Sequence, residues 1–318
     1  MQYGDIKYLN KKASRIIFGC AVGPMLSGRD FDSVLSVVLE NGINTFDTGR
    51  VYGQSEEVLG RWLSKQNRED VIVETKCCHP DGDVKRIGGK FAFEDVSRSL
   101  DALKTDYIDI YLLHRDNEAV PVEEIIGFMN ELIDKKYVKT IGVSNWRADR
   151  VAKANAYANA HGLQPFSVSS PQYGLAKQIG DPWGGCIGIS GEAMQGEREW
   201  YEKEGVSIFA FSSLAGGLLS GKCSSKDDIP TLLPPYALKA FYCAENVERL
   251  ARAERLAKEK NATVAQIALA WLLSDAMQTY AVMSPDTAER VRDNAAAFEI
   301  SLSDEERAWL NLERESLA

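Results

Sequence analysis

The chain has 318 residues, enough for a large core, and its 45% hydrophobic and 26% charged residues match an ordinary folded protein rather than a disordered or fibrous one. A formal net charge of −9 argues against nucleic acid or an anionic membrane surface as a partner, because no basic face exists to neutralise phosphates, and leaves a small molecule as the expected partner. No stretch approaches the roughly 18 consecutive apolar residues of a membrane span, and MQYGDIKYLNKKAS lacks the apolar core of a secretion signal, so a cytoplasmic protein is expected.

In chain order, MQYGDIKYLN reads as a short hairpin that caps the bottom of whatever follows. Apolar runs rich in Val, Ile, Phe and Tyr then recur at 15–20, 43–46, 71–75, 108–113, 138–144, 166–170, 206–211 and 279–283. Amphipathic segments of helical spacing lie between them, at 31–42, 56–66, 93–105, 122–136, 146–160, 197–205, 246–260 and 287–298. Strands that alternate with helices predict an α/β fold, a closed parallel (β/α)8 TIM barrel, with no composition break to divide residues 1–318 into more than one domain. Two further helices are expected at 262–274 and 303–313. Segments 171–196 and 212–241, rich in Gly, Pro and Ser, are long enough to build a substrate mouth.

Six cysteines are scattered without a repeating spacing and read as reduced thiols. Cys77-Cys78-His79 invites a metal reading, but neighbours on a strand face opposite sides and only three histidines occur, so no metal site is expected.

In a parallel barrel, chemistry sits at the C-terminal ends of the strands. Strand ends place Asp47, Lys76, His114 and Ser144-Asn145 there, with Tyr52 in the loop after the second strand. Singly, each has an ordinary structural explanation; convergence on one mouth is the informative observation. GINTFDTGRVYGQSEEVLGRWL, IDIYLLHRD, IGVSNW, SIFAFSSLAGGLLSGK and AVMSPDTAERVRDN, in that order, resemble the motifs of the aldo-keto reductase superfamily over nearly the whole chain. The resemblance implies NAD(P)H-dependent reduction of a carbonyl compound, or the reverse, with Asp47, Tyr52, Lys76 and His114 as the catalytic tetrad. Such chemistry needs an acid for the developing oxyanion, and Tyr52 fits if the Lys76 cation, held by Asp47, lowers its pKa from the ordinary value of about 10. A Schiff-base role for Lys76 is disfavoured by the adjacent Asp47 and by the lack of an apolar cage, since that lysine must be neutral.

The resemblance further implies cofactor contacts from Asp47, from Ser144 and Asn145 to a nicotinamide carboxamide, from Phe211 by stacking, and from Ser212, Leu214, Gly217 and Lys222 to a pyrophosphate. Asn145 also fits a helix N-cap. Ser170 stands where the superfamily commonly has a glutamine, with Gln172 nearby. Ser284, Asp286, Thr287, Arg290 and Asn294 fall in the segment that meets the adenosine end. NADP(H) is favoured by family habit, whereas a ribose-facing Asp286 brings NAD(H) into competition; Asp286 followed by Glu289 is alternatively a helix cap. Ala21, Met25, His79, Arg115, Trp146, Tyr173 and Trp183 are candidates to line an open substrate pocket, and the aromatics suit a polar or sugar-like carbonyl. The alternative is a cofactor-binding regulatory subunit of low turnover, like the potassium-channel beta subunits. Nothing in the sequence reveals an oligomeric state.

Overall fold

The computed structural model describes residues 1–223 and 226–317, so residues 224–225 of the expected mouth loop lie outside the described residues. After a hairpin of β1 (Tyr3–Asp5) and β2 (Lys12–Ser14) come β3 (Ile16–Gly19), β4 (Thr45–Asp47), β5 (Ile72–Cys77), β6 (Ile108–Leu113), β7 (Val138–Ser144), β8 (Val168–Ser170), β9 (Ser207–Ala210) and β10 (Thr279–Met283). These last eight close into a barrel in sequence order, every pair parallel, with β10 between β9 and β3. All eight apolar runs thus become barrel strands.

Each barrel strand is buried on both faces, which is why the runs are nearly continuous in apolar residues. Alternation sends every second residue inward. The inner core contains Ile17, Ile72, Ile110, Leu112, Val168, Phe209, Tyr280 and Val282, while a larger core of Phe46, Leu59, Trp62, Leu132, Val151 and others lies between strands and helices. The hairpin closes the bottom: Ile6 joins the inner core, Lys7 accepts a hydrogen bond from Thr140 Oγ1 (3.2 Å), and Lys11 Nζ donates to the Val71 carbonyl (3.0 Å).

The two added helices are Val264–Leu273 and Asp304–Leu310. Thr263 with Gln266, and Ser303 with Glu306, form reciprocal capping boxes that satisfy the first free N–H groups of each. The helices pack together, Trp271 Nε1 donating to the Arg307 carbonyl (3.2 Å). The long mouth loops contain structure of their own: Gln172 bridges to Gly188 and Phe211, and short helices run Ile229–Leu232 and Pro235–Phe241. Among the described residues, no helix is long and apolar enough to cross a membrane.

Candidate active site

Inward alternation on β5 stacks Ile72, Glu74 and Lys76 up the barrel axis, and the register sets Glu74 opposite Asp47 of β4. Lys76 is 2% exposed and uses its donors on Asp47 Oδ2 (2.7 Å), the Thr48 carbonyl (2.9 Å) and Glu74 Oε2 (3.2 Å). Burial alone lowers the proton affinity of Lys76, but Asp47 and Glu74 raise it more, so the ammonium is held firmly charged. The lysine is therefore enclosed, contrary to the sequence expectation, yet its cage is anionic and a neutral Schiff-base amine is disfavoured. Glu74 is fully buried; burial first, then Asp47, push its carboxyl well above the usual carboxylate range.

Tyr52 hangs over this pair on the turn after β4. Gly53 (φ +55°) permits the turn, because a Cβ there would stand 2.4 Å from the Leu26 carbonyl oxygen. The Lys76 Nζ lies 5.2 Å from the Tyr52 ring centroid, and His114 meets that ring edge-on at 5.6 Å. Burial pushes the Tyr52 hydroxyl up to about 12, against the pull of Lys76 and with help from Asp47 and Glu74. The lysine thus acts in the expected direction, but desolvation outweighs it in the free chain. His114 is pushed well below the usual imidazole range by burial and by the charges of Lys76 and Arg115, so its ring is neutral, and its Nδ1 has no hydrogen-bond partner.

Across the mouth, Ser144 Oγ donates to the Ser170 carbonyl (2.8 Å). Asn145 adopts a left-handed backbone (φ 62°) and ties three segments: its Nδ2 donates to Ser144 Oγ (2.9 Å) and the His114 carbonyl (3.3 Å), and its Oδ1 accepts from Ile187 N (3.1 Å). It does not cap the helix Ala148–Ala160, whose Ala148 N–H goes to a Glu197 carboxylate oxygen (2.7 Å). Ser170 Oγ and both amide atoms of Gln172 are buried without partners. Buried polar groups are rarely left so, and a carboxamide with a donor and an acceptor is what this set can satisfy.

Phe211, ending the strand-seven run, meets Trp183 edge-on at 6.3 Å. Positive φ at Ser212, Gly216 and Gly217 bends the following loop around Leu214, and a Cβ on Gly217 would lie 3.4 Å from Lys222 Nζ. In the last βα segment, Ser284 is exposed and Thr287, not Asp286, caps the helix Ala288–Ala295 by accepting from Arg290 N. Asp286 instead pairs with Arg290 Nη1 (2.7 Å). Asn294 is buried with its Nδ2 on Met283 Sδ (3.4 Å).

Several expected pocket residues belong to the core. Met25 is fully buried, Trp146 Nε1 donates to the Arg115 carbonyl (3.1 Å), and the Tyr173 hydroxyl donates to Asp275 Oδ2 (2.5 Å) beside Trp271. His79 stays at the mouth, 4.8 Å edge-on from His114, with Trp183 exposed opposite Tyr236. Glu74 was not among the sequence-derived candidates, although a charged residue on the inward face of an apolar strand was a readable signal.

The aldo/keto reductase family model matches residues 25–311. The chain is 29% identical to the uncharacterized oxidoreductase YrpG of Bacillus subtilis, over 96% of this chain and 95% of that protein. It is 30% identical to the NADH-specific methylglyoxal reductase of Escherichia coli (93% and 92% covered) and 26% identical to a probable voltage-gated potassium channel subunit beta of Arabidopsis thaliana (94% and 92%). The crystal structure of a thermostable aldo-keto reductase matches with a TM-score of 0.74 at 24% identity, covering 98% of this chain and 99% of that one, and shows the same fold. A barrel whose strands end on this constellation, matched by that model along most of its length, belongs to the aldo/keto reductase family and is an NAD(P)H-dependent oxidoreductase.

Proposed function

We propose that the chain reduces a polar aldehyde or ketone to the alcohol, or runs the reverse, with Tyr52 as the proton donor and acceptor. The observation that carries this reading is the buried Asp47–Lys76 pair (2.7 Å) directly beneath Tyr52 and His114 at the barrel mouth. NAD(P)H, when bound, would supply the hydride. As charge develops on the carbonyl oxygen, the Tyr52 hydroxyl releases its proton to it, and the fixed Lys76 cation stabilises the phenolate left behind. Asp47 keeps that cation charged and in place. His114, held neutral, offers the oxygen a second hydrogen bond and so orients the carbonyl.

The unpartnered Ser170 and Gln172 groups support a carboxamide site on β8, with Gln172 taking over what the residue at 170 does elsewhere in the superfamily. Ser144 and Asn145 shape that site through their mutual bonds. Phe211 would offer its ring, the loop of Ser212, Leu214 and Gly217 with Lys222 would offer amides and charge for a pyrophosphate, and Asn294 would serve the adenosine end. The Asp286–Arg290 pair bears on the choice of cofactor: a 2′-phosphate seeking Arg290 would meet the Asp286 carboxylate, which accepts a ribose hydroxyl without conflict. We read the site as accepting NADH alongside NADPH. A panel of aldehydes, ketones and sugars followed at the reduced-cofactor absorbance, with each cofactor in turn, tests the reading; no turnover with any of them would reject it.

A further inference from the structure

Arg115 leaves the end of β6 directly after His114 and is only 7% exposed. Its Nε donates to the Gly184 carbonyl (2.9 Å) and its Nη1 to the His114 carbonyl (2.8 Å), both neutral acceptors. Among the described residues, no carboxylate forms an ion pair with it. Asp181, whose field reaches it, is engaged by the N–H groups of Trp183, Gly184 and Cys186. A guanidinium this buried is costly to hold without a counter-charge. Its charge also acts on the reactive groups, pulling Tyr52 toward the phenolate and opposing protonation of His79 and His114. The turn it anchors carries Trp183, which meets Phe211, so Arg115 and Trp183 form one wall of the mouth. The strand order sets β6 three strands from β9 and four from β10, away from the loops that suit cofactor phosphates. With Asp181 held off in its own turn, the place for an anion in direct contact with the guanidinium is on the substrate side.

We propose that Arg115 is a specificity-determining residue that binds an anionic group, a carboxylate or a phosphate ester, on the carbonyl substrate; the proposal rests on the reductase reading above. An anion paired with a guanidinium in such a site is expected to gain about tenfold or more in kcat/KM over its neutral analogue.

The test compares glyoxylate, succinic semialdehyde and adipic semialdehyde with their methyl esters, and glyceraldehyde 3-phosphate with glyceraldehyde, in the full-length protein with NADH and NADPH. At least one anionic member is expected to exceed its neutral partner by about tenfold, and which arm does so separates carboxylate from phosphate. Arg115→Gln should bring that ratio to within about threefold of unity, whereas Arg115→Lys, which keeps the charge, should retain part of it. Equal kcat/KM for charged and neutral partners, or a ratio untouched by Arg115→Gln, overturns the proposal. If nothing is turned over, the reductase reading fails, and calorimetric titration with succinate and with inorganic phosphate decides the anion site by itself. Binding of either one weakened about tenfold or more by Arg115→Gln supports the site, and no binding, or binding indifferent to the substitution, overturns it.

Discussion

Two carboxylates meet one buried ammonium in this barrel, and a double-mutant cycle on Asp47 and Glu74 resolves how they share it. At an effective dielectric of about 20, a unit charge 2.7 Å from Lys76 Nζ gains about 6 kcal/mol and one at 3.2 Å about 5 kcal/mol, most of it offset by desolvation. Burial first, and then Asp47, push the Glu74 carboxyl well above the usual carboxylate range, so the charged form of Glu74 is disfavoured beside Asp47. Glu74→Gln removes a carboxyl whose ionisation burial already disfavours, keeps a hydrogen-bond acceptor beside the ammonium, and should cost less than about 1 kcal/mol. Asp47→Asn leaves Glu74 as the ammonium's counter-charge and removes the neighbouring carboxylate that disfavours its ionisation, which limits the loss to about 1–2 kcal/mol. The double variant strands the ammonium, at about 3–5 kcal/mol, the cost typical of a broken buried pair. Urea unfolding at pH 7 with a constant m-value reads all four corners, and the double variant should exceed the sum of the singles by about 1–2 kcal/mol. Losses that add within about 0.5 kcal/mol, with Asp47→Asn alone costing the full amount, would refute the shared-ammonium account.

Other consequences are equally specific. Because Gln172 is buried with both amide atoms unpartnered, Gln172→Leu should stabilise the free protein by about 1 kcal/mol while weakening NAD(P)H about tenfold, read by melting and by cofactor fluorescence. Asp286→Ser frees Arg290 and should move the NADPH-to-NADH ratio of kcat/KM toward NADPH by about fivefold or more, as steady-state rates with both cofactors will tell. His114 is held neutral, whereas an unfolded histidine binds a proton near pH 6.5, so its contribution to stability is present above that pH and is lost as the pH falls below it. The decline is at most about 1.4 kcal/mol per pH unit, and His114→Gln should flatten it in urea midpoints between pH 7.5 and 5.5.

The barrel was legible because a strand buried on both faces must be written as an unbroken apolar run, as IDIYLL and VKTIGVS are, while the helices between them carry a single apolar stripe. Asp47, Lys76 and His114 were legible for the opposite reason, as ionisable residues that end such runs. What escaped depends on side-chain direction. Glu74 sits inside VIVET and was read as strand; only the inward stack Ile72, Glu74, Lys76 reveals that it touches the ammonium. Asn145 passed for a helix cap because its left-handed backbone is invisible in SNW, and Asp286 passed for one because Thr287, one residue later, is an equally good cap. Trp146 and Tyr173 looked like pocket walls, but the Arg115 carbonyl and the Asp275 carboxylate satisfy their polar ends in the interior.

The most direct measurement on the central claim is single-turnover reduction by Tyr52→Phe, with NAD(P)H affinity measured on the same preparation. In the proposed mechanism Tyr52 supplies the proton, and it is not itself among the residues read as cofactor contacts. The account therefore predicts a loss of at least about a hundredfold in the reduction rate, with cofactor binding changed by less than about threefold. Near-normal turnover in that variant would contradict it.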